Sequence, residues 1–249
     1  MALTNEQLER YSMNSEEDYS SVTLVDLREP DDAALAKSLL LYAVTDRRWL
    51  KDGENLKDAV AAAVDGGATI IQLREKNLSA EKTIEEAKEL KSILTEKQIP
   101  LIIDNSIEIT LRSGADGVHV GQDDCPVSEA RKLLGKDFII GATAHNAAEA
   151  VKAEEDGADY LGVGAAFGSS TKSDAKPIVS LDEYKKITEA VSIPVVAIGG
   201  IDETNIMRLK GLGLSGFAVV SAIFARDDVR AATEQMKKLA MHAVTLPLL

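Results

Sequence analysis

Short apolar runs rich in β-branched residues alternate along this chain with longer segments whose apolar residues recur at helical spacing. The short runs predict eight buried strands, at Leu40–Thr45, Thr69–Arg74, Leu101–Asn105, Gly117–Val120, Phe138–Ala142, Tyr160–Gly164, Val195–Gly199 and Phe217–Ser221. The longer segments predict helices at Leu56–Asp65, Ala80–Lys97, Ile107–Ser113, Ser128–Leu134, Ala147–Asp156, Leu181–Ala190, Glu203–Leu209 and Asp228–His242. Regular alternation of strand and helix indicates a parallel sheet, because parallel strands need a crossover connection.

Eight strand–helix units within roughly 210 residues fit a (β/α)8 barrel, which typically has about 200–250 residues. An open doubly wound sheet usually has fewer strands and a glycine-rich turn after its first strand, and no such turn follows Val44. The predicted fold class is therefore α/β, a (β/α)8 TIM barrel over residues 39–249. Residues 1–38 are predicted to be an acidic N-terminal extension.

The net charge of the chain limits the kinds of molecule that it is expected to bind. The net charge is -13, of which residues 1–32 contribute -7 through nine carboxylates and two arginines. Nucleic acids and anionic membranes favour dispersed positive charge, so neither is an expected partner. Cys125 is the only cysteine, and the chain has neither a signal-peptide pattern nor a long apolar span. We expect a cytoplasmic protein acting on small molecules, with homo-oligomer formation left open.

The second predicted strand ends in the polar sequence Gln72-Leu73-Arg74-Glu75-Lys76. Side chains alternate faces along a strand, so Gln72, Arg74 and Lys76 should lie opposite Ile71 and Leu73. Two cations and an amide on one face are suited to binding an anion. A charged residue on a buried strand needs a partner, so we expect an oppositely charged group next to these side chains.

Polar residues also follow the other predicted strands, at the end of the barrel where active sites of this fold lie. They are Asp104 and Asn105, Gln122, Asp123 and Asp124, Thr143 and His145, Gly199 and Gly200, and Ser221. Carboxylates close to phosphates need a cation between them, so this rim predicts a phosphorylated substrate with a divalent metal.

Two loops on the same rim are expected to contact phosphate. Gly199-Gly200 allows close backbone approach, and Ser221 could cap the next helix while donating to an oxygen. The loop Gly168–Pro177 is small and polar, as expected of a lid that orders over an anion through Ser169, Thr171 and Lys172.

Five motifs, taken in order, resemble the thiamine-phosphate synthase family, and the resemblance extends over roughly Leu39 to Arg226. The motifs are Gln72-Leu73-Arg74-Glu75-Lys76, Gly114-Ala115-Asp116 continuing to Asp124, Gly157-Ala158-Asp159 continuing to Gly164, Thr171-Lys172, and Ala197-Ile198-Gly199-Gly200-Ile201. The resemblance implies a Mg²⁺-dependent transferase that joins hydroxymethylpyrimidine diphosphate to a thiazole phosphate and releases pyrophosphate.

The resemblance also implies roles for individual residues. Arg74, Lys76 and Lys172 would be catalytic, binding pyrophosphate together with Gln72, Ser169 and Thr171. Thr143 would lie near the pyrimidine, while Gly200, Val220 and Ser221 would bind the thiazole phosphate. Asp124 and the acidic position after the third strand would hold the metal. The family usually has Asn-Asp there, whereas this chain has Asp104-Asn105, so Asn105 occupies the usual metal position and supplies no charge.

Two alternatives remain at this stage. A thiazole tautomerase of the same barrel family would use a histidine such as His145 to move protons, although it would have no pyrophosphate to neutralise. A non-catalytic phosphate-binding barrel is the second alternative, suggested by Asn105 and the acidic extension. His119, inside the fourth strand, is interpreted as a hydrogen-bonded core histidine.

Overall fold

The computed structural model describes residues 32–51, 53–168 and 178–244. Eight parallel strands close into a barrel in chain order, and the eighth pairs with the first. The strands are β1 (Leu41–Val44), β2 (Ile70–Leu73), β3 (Leu101–Asp104), β4 (Gly117–Val120), β5 (Ile139–Ala144), β6 (Tyr160–Gly164), β7 (Val195–Ile198) and β8 (Gly216–Val219). The predicted (β/α)8 fold class is confirmed.

Nine α-helices lie in the described part of the chain. They are α1 (Asp32–Ser38), α2 (Leu56–Asp65), α3 (Ala80–Glu96), α4 (Ile107–Ser113), α5 (Val127–Leu134), α6 (Ala147–Glu155), α7 (Leu181–Ala190), α8 (Ser221–Phe224) and α9 (Val229–Ala243). Seven of the predicted helices are confirmed to within one residue at each end. Six of these starts are fixed by side-chain caps on the first turn, from Asn55, Ser79, Ser106, Asn146, Ser180 and Asp228.

Two predictions near the carboxyl end, a helix and the capping role of Ser221, were wrong. The helix predicted at Glu203–Leu209 is only a 3₁₀ turn at Ile206–Leu209. The carboxylate of Asp202 accepts hydrogen bonds from the backbone and the hydroxyl of Thr204, and this local turn replaces the first helical turn. The last strand stops at Val219, and Ser221 begins α8 without capping it, since Val220 takes the cap position.

The barrel interior is filled from the alternate positions of the strands. One apolar cluster contains Leu35, Leu39, Tyr42, Val44, Ile70, Ile102, Ile139, Tyr160, Val196 and Ala218. The neighbouring positions, such as Leu41, Ala43, Ile71 and Leu73, belong to a separate cluster formed with the surrounding helices. The faces predicted for the second strand are therefore correct.

Helix α1 was not predicted, and it joins part of the acidic extension to the barrel. Its Leu35 is 6% exposed and packs with Leu39 and Tyr42 in the interior cluster. The barrel core therefore begins before the predicted boundary at residue 38. Residues 1–31, where the remaining acidic extension was predicted, lie outside the described residues.

At the amino ends of the strands, three side chains accept a hydrogen bond from an amide at the start of the preceding strand. Thr69 Oγ1 accepts from the Leu41 amide, Asp116 Oδ2 from that of Leu101, and Asp159 Oδ2 from that of Ile140. In each case the backbone amide of the same residue donates to the carbonyl of its partner. These reciprocal bonds join β1 to β2, β3 to β4 and β5 to β6. Two of the three residues, Asp116 and Asp159, therefore have a structural role.

Within the described ranges, no helix combines the length and apolar character required to cross a bilayer.

Candidate active site

Arg74 lies at the carboxyl mouth of the barrel, one residue beyond the end of β2. Its side chain is 8% exposed, with Nη1 3.3 Å from Asp46 Oδ2 and Nε 3.7 Å from Asp104 Oδ2. Its backbone amide donates to Thr45 Oγ1 at 3.0 Å. The expected partners of the buried charge are thus two carboxylates, which hold the guanidinium in place without a ligand.

Asp46 was not among the predicted site residues. It follows β1 directly and binds Arg48 through two hydrogen bonds to Nε and one of 2.6 Å to Nη2. Burial opposes its charged form, but Arg48 and Arg74 together hold the pKa of the Asp46 carboxyl below its ordinary value. The sequence did carry a signal, because Asp46 is a polar residue directly after a predicted strand.

Glu75 and Lys76 form no part of this cluster of ion pairs among the described residues. Glu75 accepts a hydrogen bond of 3.0 Å from Arg47, which also pairs with Glu86. Lys76 is exposed and forms no salt bridge with another described residue. Of the three side chains predicted to share one strand face, Gln72 and Arg74 are buried in the barrel, whereas Lys76 lies beyond the strand at its rim.

Asp104 and Asn105 point in different directions because β3 ends between them. Asp104 lies toward Arg74, whereas Asn105 has a φ of 60° and directs its amide to Asp124. The distance from Asn105 Nδ2 to Asp124 Oδ1 is 3.1 Å, and Asp124 Oδ2 accepts from the Gly121 amide at 2.7 Å. The two residues predicted as metal ligands are therefore neighbours, although they come from different strands.

Thr143 is linked to Gln72 through the barrel interior by a chain of hydrogen bonds. Thr143 Oγ1 lies 3.0 Å from His119 Nε2, and His119 Nδ1 lies 3.1 Å from the Tyr160 hydroxyl. That hydroxyl is 2.8 Å from the Tyr42 hydroxyl, which accepts from Gln72 Nε2 at 3.0 Å. The interpretation of His119 as a hydrogen-bonded core residue is confirmed, while the two tyrosines were missed because they read as ordinary apolar strand positions.

The loops after β7 and β8 lie on the same rim. Gly199 and Gly200 have φ values of 103° and 66°, and a Cβ at Gly200 would overlap the carbonyl oxygen of Gly168. Glycine is therefore required at Gly200 by both conformation and space. Val220 and Ser221 are half-buried at the start of α8. The predicted lid residues Ser169, Thr171 and Lys172 lie outside the described residues.

His145 is engaged with its own helix. Its Nδ1 and its backbone amide both lie 2.8 Å from Glu149 Oε2, just before α6. Together with Gln122 and Ser180, these residues line an open cavity of about 460 Å³. The cap of α6 is Asn146, and His145 instead pairs with the carboxylate of Glu149 in the first turn.

The sequence profile described as Thiamine monophosphate synthase matches residues 41–223, which include all eight strands of the barrel. The chain belongs to this family. Two curated relatives named thiamine-phosphate synthase are 46% identical over 196 residues, in Clostridium tetani, and 47% identical over 199 residues, in Chloroflexus aurantiacus. These alignments cover 79% and 80% of this chain and 93% and 91% of the relatives.

A solved structure supports the same family assignment. Thiamine phosphate pyrophosphorylase from Pyrococcus furiosus is 37% identical, with a TM-score of 0.76 over 84% of this chain and 98% of its own. The relatives carry synthase names, so the tautomerase alternative is not favoured.

The thiamine monophosphate synthase family implies Mg²⁺, and the donor set of this chain fits that ion. No group of three or more His, Cys, Asp or Glu side chains gathers as a metal cage within the described residues. The carboxylate of Asp124 and the amide of Asn105 instead offer two oxygen-bearing groups side by side. Mg²⁺ is often held by one or two such groups, with water and substrate phosphates completing its coordination.

Proposed function

We propose that this protein couples 4-amino-5-hydroxymethyl-2-methylpyrimidine diphosphate to a thiazole phosphate, giving thiamine monophosphate and pyrophosphate. Membership of the thiamine monophosphate synthase family and the names of the relatives support this transferase reaction. The observation that carries the proposal is the buried Arg74 at the barrel mouth beside Asp104, the residue that precedes the Asn105–Asp124 pair in the chain. A cytoplasmic location and small phosphorylated substrates are part of the same proposal.

The proposed reaction is a displacement at the pyrimidine methylene carbon. The bond from this carbon to the bridging oxygen of the diphosphate breaks first, and its electron pair leaves with pyrophosphate. The ring nitrogen of the thiazole then forms a bond to the resulting cation. No proton has to be removed for this attack, so catalysis consists of stabilising the leaving anion and aligning the two rings.

We assign the leaving pyrophosphate to the basic side chains on the rim. Arg74 and Lys76 would bind it with Gln72, and the two carboxylates around Arg74 would keep its guanidinium in position before the substrate arrives. Lys172, with Ser169 and Thr171, completes this set as a prediction from the sequence. The described residues thus supply one buried and one exposed cation for the anion that develops in the transition state.

The remaining predicted residues are assigned to the metal and the two rings. Asn105 and Asp124 would hold Mg²⁺, which when bound neutralises charge on the pyrophosphate, and Asp104 would complete the anionic side of the site. Thr143 would contact the pyrimidine. Gly200, Val220 and Ser221 would bind the phosphate of the thiazole, with Gly200 held at positive φ against the Gly168 carbonyl.

An assay for pyrophosphate release tests the proposal against both alternatives. With both substrates and Mg²⁺ present, we expect release of pyrophosphate and one equivalent of thiamine monophosphate. Interconversion of thiazole tautomers without coupling would instead identify a tautomerase. Binding of the phosphates with no chemical change would identify a non-catalytic barrel, and either result would overturn the proposed function.

A further inference from the structure

The hydrogen bonds inside the barrel run in one donor-to-acceptor direction, which the side-chain amide of Gln72 determines at one end of the chain. An amide nitrogen can only donate, so the Tyr42 hydroxyl accepts from Gln72 Nε2. Tyr42 has one proton to donate, and its other hydrogen-bond partner is the Tyr160 hydroxyl. Because burial raises the pKa of both tyrosines, each hydroxyl keeps its proton and donates one hydrogen bond.

The same donor-to-acceptor direction continues from Tyr160 to Thr143 at the barrel rim. Tyr160 accepts from Tyr42 and therefore donates its proton to His119 Nδ1. An imidazole that accepts at Nδ1 and is neutral carries its proton on Nε2, which donates to Thr143 Oγ1. The Thr143 hydroxyl receives this bond, so its own proton points elsewhere. Within residues 32–51, 53–168 and 178–244, no second partner takes that proton.

Two glycines create the space that the chain occupies. A Cβ at Gly141 would overlap the Tyr160 ring and would lie 2.5 Å from His119 Nδ1, and one at Gly162 would lie 2.9 Å from His119 Cε1. The register places Gly141 beside both His119 and Tyr160, and Gly162 beside Thr143. The His119 ring thus lies against the Cβ-free faces of β5 and β6, which hold it in one place.

We infer that Tyr42, Tyr160 and His119 are positioning residues that present the Thr143 hydroxyl to the substrate as a hydrogen-bond donor. The inference rests on the proposed function, in which Thr143 contacts the pyrimidine. Its complement is a hydrogen-bond acceptor, and an unprotonated pyrimidine ring nitrogen is one. If His119 carried its proton on Nδ1, Nε2 would take the Thr143 proton and the substrate would lose this donor.

Nitrogen NMR tests the direction on the ligand-free wild-type protein. Histidine labelled with ¹⁵N gives signals from His119, His145 and His242, and the His119 signals are those absent from His119→Asn. Two-bond proton–nitrogen correlations are expected to show His119 with an unprotonated Nδ1 and a protonated Nε2. A protonated Nδ1 would reverse the donor-to-acceptor direction of these hydrogen bonds and overturn the inference.

A double-mutant cycle tests the consequence for the substrate. Tyr160→Phe removes the donor to His119, and we expect kcat/KM for the pyrimidine diphosphate to fall about five- to tenfold, the scale of one hydrogen bond. The fall should persist in a Thr143→Ser background, which keeps the hydroxyl, and disappear in Thr143→Val. An equal fall in the Ser and Val backgrounds would show a purely structural role and overturn the inference.

Tyr184→Phe is the matched control. Tyr184 is also buried, but its hydroxyl donates to the Val163 carbonyl and takes no part in the hydrogen-bond chain from Gln72 to Thr143. It should lower Tm as Tyr160→Phe does and leave kcat/KM within twofold of wild type. If Tyr184→Phe lowered kcat/KM as much as Tyr160→Phe, the effect would be one of general stability and the inference would fall. An inactive wild-type protein would contradict the proposed function alone, since the NMR result does not depend on activity.

Discussion

Asp46 and Arg74 lie side by side at the barrel mouth, with the sequence offset that also pairs β1 with β2. Val44 pairs with Gln72, and two residues further along both chains Asp46 Oδ2 lies 3.3 Å from Arg74 Nη1. The parallel register is therefore continued by an ion pair beyond the last strand residues. This relationship places a buried guanidinium in the site before any phosphate binds.

The first prediction concerns acid stability. The folded pKa of Asp46 is lowered, so its contribution to stability is complete above its unfolded pKa of about 3.9 and is lost as pH falls through the folded value. Asp46→Asn should lower Tm at pH 7, and the difference from wild type should shrink below about pH 4. Thermal melts of both proteins from pH 7 to pH 3 measure this. An equal difference at pH 7 and pH 3 would contradict it.

The second prediction concerns Arg74. Arg74→Ala should lower kcat more than it weakens substrate binding, because the pyrophosphate charge develops in the transition state; the loss should be about 10²- to 10³-fold. Arg112→Ala is the control, since Arg112 pairs with Glu81 and Glu108 on the outer surface. Steady-state kinetics with varied pyrimidine diphosphate separate kcat from KM. Turnover close to wild type in Arg74→Ala would refute the role.

The same measurement on Lys172→Ala tests the corresponding prediction from the sequence. We expect a fall in kcat of similar size, because a second cation would act on the same leaving group. A fall in affinity alone would mean that Lys172 binds the substrate and the transition state equally well.

The third prediction concerns the inverted Asp104-Asn105 pair. Asn105→Asp should keep activity and lower the Mg²⁺ concentration needed for half-maximal rate, because a carboxylate adds charge next to Asp124 and aspartate tolerates the positive φ. Asp124→Asn should nearly abolish activity. Magnesium titrations of both variants and of Asp104→Asn measure the effect. If only Asp104→Asn changed the metal dependence, the metal would bind at Asp104 instead.

The fourth prediction concerns where the barrel begins. Deletion of residues 1–31 should leave a folded, active protein, whereas deletion of residues 1–36 also removes Leu35 from the barrel interior. Leu35→Ala should cost about 2–3 kcal/mol of unfolding free energy, near the lower end for buried leucine. Urea unfolding of these three proteins measures the difference, with exposed Leu133→Ala as the control. Equal stability of both deletions would show that α1 contributes nothing to the core.

Local patterns were sufficient to predict most of the fold. Capping residues such as Ser79 and Asn146 determine helix starts, and alternation along β2 correctly placed Gln72 and Arg74 inside the barrel. The 3₁₀ turn at Ile206–Leu209 was missed because two buried residues three apart fit either kind of helix. Helix α1 was missed because the acidic composition around it masks its buried residue Leu35.

The site was predictable only as far as position along a strand determines it. Polar residues after strands identified Arg74, Asp104 and Asn105, but their partners depend on how strands close in space. The Tyr42–Tyr160 contact joins β1 to β6, 118 positions apart, and no local pattern marks it. Arg74 was found because polar residues near the ends of strands were considered. The same rule applied to the first strand would have included Asp46.

The carboxylates of Asp116 and Asp159 tie strands together in pairs at the end of the barrel opposite the chemistry. They lie in two of the motifs by which this chain resembles its family. The Gly-Ala-Asp segments of those motifs, Gly114–Asp116 and Gly157–Asp159, therefore record how the barrel is assembled rather than what it catalyses. A diverged homologue could keep both aspartates after losing the reaction, so inheritance of activity within the family is better traced through Arg74 and Asp124.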